Sequence, residues 1–165
     1  MHPVIEIRQN FLPKIMTGEV FVVYESEEGR GTFFSATLTD GVQIHVAEEL
    51  LMRPLRLQQL VLFHEFVHYQ QYIGGHAFPE MFNPSFADAY PEKRESFCKQ
   101  KWHTEFEAYQ KECELSDRLK GGPDFCRGFQ ASDFVEKLAA WVAVNDSSAS
   151  ICKETYLQMV QSKQF

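Results

Sequence analysis

The chain has 165 residues, 16 of them basic and 23 acidic, for a formal charge of −7. That length suits one domain, residues 1–165, able to bury most of its apolar surface without obligatory staples, and 44% hydrophobic residues with fifteen Phe and six Tyr exclude a disordered chain. No stretch concentrates Lys and Arg as a phosphate-tracking surface requires, which argues against nucleic acid, and no run of about 18 apolar residues exists to span a bilayer. The opening segment MHPVIEIRQN lacks the basic and apolar stretches of a secretory signal. Nothing in the composition sets an oligomeric state.

The first third reads as sheet. EVFVVYE at 19–25 and TFFSATL at 32–38 are rich in β-branched and aromatic residues, with polar and Gly breaks between them. Asp40-Gly41 then precedes VQIHV, and a DG pair between apolar runs signals a two-residue hairpin turn that needs positive φ. A third strand is therefore expected at 42–46, with Val42, Ile44 and Val46 on one face and Gln43 and His45 on the other. The sheet part ends near residue 50, and a helical part follows over about 54–165.

From Pro54 the period changes. PLRLQQLVLFHEFVHYQQYI is apolar on nearly every side, with Pro in the first turn and Gly74-Gly75 as the stop, so it predicts a largely buried helix. HAFPEMFNPSFADAYPE at 76–92 has three prolines and no period, the mark of an ordered loop. A second long helix is predicted from Pro91 to Lys120, closed by Gly121-Gly122-Pro123. Two shorter amphipathic helices, near 131–144 and 151–162, complete the chain.

The four cysteines stand at 98, 113, 126 and 152, with no CxxC pair. On one helix Cys98 and Cys113 would lie roughly 22 Å apart, beyond disulfide reach, so each can bridge only to Cys126 or Cys152. Four reduced, buried thiols are the alternative.

Within the first long helix stands HEFVH, His64 to His68. A shuffled chain of this composition would contain about 0.02 such matches. Two His four apart project from one helix face, where their imidazoles can converge on one ion at about 2.0 Å. Glu65, beside them, is placed to act as general base toward a water whose pKa a metal has lowered. The alternative is two core histidines satisfied by backbone carbonyls.

A catalytic zinc site takes three protein ligands, and the candidates for the third are Glu105, Glu107, His103 and His76. At about 100° per residue from Trp102, the residues Cys98, Phe106, Tyr109 and Cys113 fall within about 40° of it and mark an inward face. Glu105 borders that face at about −60°, Glu107 points to solvent at about 140°, and His103 flanks at about 100°. Glu105 is thus the preferred ligand. His76, beyond two glycines, would need a sharp return and ranks second.

HEFVH followed 37 residues after His68 by Glu105 in EFEAY, on a second helix, resembles the gluzincin branch of zinc metallopeptidases in its minimal form. The resemblance implies a small α+β, zincin-like domain with a twisted antiparallel or mixed sheet, an active-site helix, a glutamate helix and C-terminal helices. It also implies one Zn2+ ion held by His64, His68 and Glu105, with Glu65 as catalytic base acting on a peptide or protein substrate. In such enzymes the strand just before the active-site helix binds substrate in extended form at a sheet edge, which would assign that role to VQIHV. A residue four after the ligand Glu, often Asp or Asn, orients the first motif His there; here it is Tyr109. The metzincin pattern wants Gly and His three and six residues after the second motif His, where this chain has Gln71 and Gly74. Tyr72, Tyr90, His76 and His103 have the chemistry to stabilise an oxyanion. A closed zinc-binding or interaction module with an inactive site is the competing reading.

Overall fold

The computed structural model describes residues 12–25, 31–37, 41–76 and 89–165. It is mixed α+β. A one-turn helix α1 (Leu12–Met16) leads into β1 (Phe21–Glu25), β2 (Phe33–Thr37) and β3 (Gly41–Ala47). Next come a short α2 (Glu48–Leu51) and the long α3 (Leu55–Ile73). A 3-10 turn at Pro91–Lys93 opens α4 (Arg94–Arg118), another at Asp124–Cys126 follows it, and α5 (Phe134–Asn145) and α6 (Ala149–Gln161) end the chain.

The three strands fall where β-branched and aromatic residues cluster, and their order is β1-β3-β2. β3 pairs in parallel with β1, Val23 opposite His45, and antiparallel with β2, Phe34 opposite Ile44. Strand alternation sends Phe34, Ala36, Ile44 and Val46 to the core, while Phe33, Ser35, Gln43 and His45 stay half-buried on the other face. Gly41 has the expected positive φ of 72°. It does not form half of a two-residue turn, however: it opens β3 opposite Thr37, so the connection takes residues 38–40, outside the described set.

The topology corrects one expectation. VQIHV is the central strand, paired on both sides, so its backbone N–H and C=O groups are engaged by β1 and β2 and offer no edge to an extended peptide. The edges among the described strands are β1 and β2.

Pro54 caps α3, and Gly74 ends it with its N–H donating to the Gln70 carbonyl. The aromatic loop expected at 76–92 lies largely at 77–88, outside the described residues. α4 sits between two apolar cores. On one side Ala108 and Leu115 join Leu60, Phe63, Phe66 and Val67 of α3 and the inner face of the sheet. On the other, Phe97, Trp102 and Phe106 pack with Leu138, Val142, Tyr156 and Met159 of α5 and α6. Trp102 is fully buried, stacked on Phe106, and its indole N–H donates to the Gln164 carbonyl at 2.8 Å, so no polar atom is stranded.

The four cysteines are bridged, Cys98 to Cys152 and Cys113 to Cys126. Both bridges anchor on α4, tying it to α6 and to the turn after its C-terminus. No helix among the described residues is long and apolar enough to cross a membrane.

Candidate metal centre

The seam between α3 and α4 carries the polar groups that an apolar core would otherwise exclude. His64, Glu65, His68 and Gln71 from α3 and Thr104, Glu105 and Glu112 from α4 are all buried. Helical spacing explains the convergence: positions 64, 68 and 71 form one stripe on α3, and 105 and 112, two turns apart, form one on α4. Fully buried Ala108 lies between them.

Glu105 Oε2 lies 3.3 Å from His64 Nε2 and 3.2 Å from His68 Nε2, and the two Nε2 atoms are 3.1 Å apart. The three residues form a buried group able to hold a metal ion. Donors about 2.0–2.1 Å from a tetrahedral ion sit roughly 3.3 Å apart along an edge, so these separations match such a donor set.

The outer nitrogens decide which atoms offer lone pairs. Gln71 Nε2 donates to the Thr104 carbonyl at 3.0 Å and to the Glu107 carboxylate at 2.9 Å, two groups that only accept. The amide orientation is thereby fixed with Oε1 toward His68, and His68 Nδ1, 2.9 Å away, must carry the proton. His64 Nδ1 likewise donates to Glu112 Oε2 at 3.1 Å. Neutral imidazoles held this way turn both Nε2 lone pairs onto a third lone pair from Glu105, an arrangement that repels itself unless a cation or a proton sits among them.

Electrostatics point the same way. Burial opposes charging His64, yet hydrogen bonds to Glu105 and Glu112 outweigh it and hold its pKa well above the ordinary value. Burial would raise Glu105, but Lys101, His68 and hydrogen bonds from both imidazoles keep it well below the usual carboxylate range. Glu65 is raised by burial, with the two histidines opposing. Lys101 Nζ sits 2.5 Å from Glu105 Oε1. Burial opposes its charge, but Glu105 and Asp146 prevail and its pKa rises.

His64, His68 and Glu105 are thus brought together, with Glu65 buried in the same seam. Glu107 is half-buried and serves Gln71 and Lys111 instead. His103 is exposed, and His76 is exposed at the helix stop, its backbone N–H bound to the Gln71 carbonyl. Tyr72 packs its ring against Phe34, and Tyr90 is exposed beneath the Lys93 ammonium. Tyr109 does not orient His64 by a hydrogen bond to Nδ1. Its ring lies edge-on against the imidazole at 4.4 Å, and Glu112 takes the Nδ1 proton. Glu112 and Gln71, which hydrogen-bond the outer nitrogens of the two rings, are not among the residues expected from the motif. The signal for Glu112 was its place one heptad after Glu105; for Gln71 it was the position three after His68.

A cavity of about 380 Å³ adjoins the seam, walled by Leu50, Leu57, Val61 and Phe125, with Arg53 and Glu112 also on its lining. Compared with models of known families, with curated proteins and with solved structures, the chain matches none.

Proposed function

We propose that the protein is a zinc-dependent peptidase of the gluzincin type, with His64, His68 and Glu105 as metal ligands and Glu65 as general base. The observation that carries this reading is the convergence of three lone pairs from two helices beside a buried carboxylate, Glu65, that is not one of the three. Two imidazoles and one carboxylate suit zinc better than calcium or magnesium, which favour all-oxygen shells. Zinc at these ligands supplies Lewis acidity to a water and to a substrate carbonyl.

The chain's own groups do the rest. Glu65 takes a proton from the attacking water and hands it to the departing amine. Burial raises its pKa, which strengthens it as a base near neutral pH. Glu112 and Gln71 fix the tautomer and angle of both ligand rings.

The test is cleavage of a mixed peptide library by the zinc-loaded protein and by Glu65→Gln, with metal content measured on both. Wild type should cleave, and Glu65→Gln should keep its zinc while losing at least about 100-fold in turnover. An equally active Glu65→Gln, or a zinc-loaded wild type that cleaves nothing, refutes the peptidase reading. A second reading, a closed metal centre that braces α3 against α4, is favoured by exposures of only 7%, 6%, 4% and 4% at His64, Glu65, His68 and Glu105. It gives zinc binding and thermal stabilisation without turnover in either variant.

A further inference from the structure

The two oxygens of Glu105 are divided between different partners. Oε2 faces both Nε2 atoms at 3.2 and 3.3 Å, while Oε1 is held by Lys101 at 2.5 Å. Lys101 precedes Glu105 by one helical turn, so the spacing on α4 builds the pair. It is not an ordinary surface ion pair, since the Lys101 and Glu105 side chains are only 12% and 6% exposed. Little water can screen it.

We propose that Lys101 confines Glu105 to one-oxygen ligation, and thereby sets both the coordination number of the site and its preference for a small, nitrogen-seeking ion over oxygen-seeking ions such as manganese. The inference rests on the metal reading of the seam and not on peptidase activity. A divalent ion taking both Glu105 oxygens would share Oε1 with an ammonium, placing two cations on one atom. The ammonium therefore disfavours the bidentate mode, which adds a ligand and suits larger, oxygen-seeking ions. With Lys101 in place, the protein offers two nitrogens and one oxygen and leaves a coordination position for an outside ligand. Lys101 is thus a positioning residue that acts through Glu105.

Cobalt(II) gives a readout independent of turnover, because its visible absorption is intense in four-coordinate sites and weak when a fifth ligand joins. The experiment titrates wild type, Lys101→Met and Lys101→Arg with cobalt, and measures the manganese-to-zinc affinity ratio of each. Wild type and Lys101→Arg should show the intense band, and Lys101→Met should fall at least about threefold in absorption while its manganese-to-zinc ratio rises at least about tenfold. If the methionine variant does not fold, Lys101→Gln replaces it with the same expectation. An unchanged spectrum and ratio in the neutral variant, or an arginine variant that behaves like the neutral one, overturns the proposal while leaving the metal reading intact. A wild type that binds no cobalt overturns both.

Discussion

The Nδ1 proton of His64 is accepted by Glu112 at 3.1 Å, while Nε2 of the same ring faces Glu105 across 3.3 Å. One helix, α4, thus grips the imidazole at both nitrogens. Removing the outer partner frees the ring to rotate and to change tautomer, so Glu112→Ala should weaken zinc affinity by about 10–100-fold. Gln71→Leu should act similarly through His68. Competition with a chromophoric chelator measures this; wild-type affinity in both variants would show that the outer hydrogen bonds do not orient the ligands.

Metal-free protein should be most stable on the mildly acidic side. His64 is raised above its unfolded value of about 6.5. The stability it contributes is fully present below that pH and is lost as pH rises through its folded pKa. Glu65 and Asp146, raised chiefly by burial, act with the same sign, their contribution being lost as pH rises through their folded pKa values. Glu105 is lowered, so its contribution is present above the unfolded carboxylate pKa and is lost as pH falls through its folded value. Thermal melts in EDTA should therefore fall off on both sides of a mildly acidic optimum, and zinc should restore the basic limb. A metal-free melting temperature that climbs steadily from about pH 5 to about pH 9 would contradict these assignments.

The same raised pKa means that zinc displaces a proton from His64. Near pH 7 binding should release about one proton per chain from this residue, read by calorimetry in two buffers of different ionisation enthalpy. No buffer dependence would mean that His64 is already neutral in the metal-free protein.

Both disulfides constrain the unfolded chain, to different extents. Cys98–Cys152 spans 54 residues and Cys113–Cys126 spans 13. The chain-entropy model gives a loss of about 4 kcal/mol for the paired serine variant of the first and about 3 kcal/mol for that of the second. Urea titration measures both; the reverse order would show that native packing, not loop closure, governs their effect. Cys113 directly follows Glu112 in the chain, so the second variant should also bind zinc more weakly than the first.

The buried group that could hold a metal ion was legible in the helical spacing. Two His four apart share one helix face, and Glu105 borders the inward face of its own helix, which singled out His64, His68 and Glu105 as the residues that come together. Glu112 falls at about −80° on the same wheel, beside Glu105 at about −60°, but a residue that orients a ligand carries no motif of its own. Gln71 was overlooked because an amide is not read as chemistry, although it fixes the His68 tautomer. In the sheet, the Asp40-Gly41 pair marks β2 and β3 as neighbours, whereas nothing local records that β1 returns to the far side of β3. That pairing depends on a crossover, and it removed VQIHV from the sheet edge. One-turn helices such as α1 and α2 are too short to show a period. Helix geometry ruled out a Cys98–Cys113 bridge, but choosing between the remaining pairings needed the packing of α6 against α4.

The most direct test of the three-ligand centre is zinc content per chain after extensive dialysis, compared among wild type, Glu105→Ala and Glu107→Ala. About one ion should remain in wild type and in Glu107→Ala, and Glu105→Ala should lose it. A metal-free wild type at micromolar zinc, or equal retention in the two variants, would contradict a cation held between His64, His68 and Glu105.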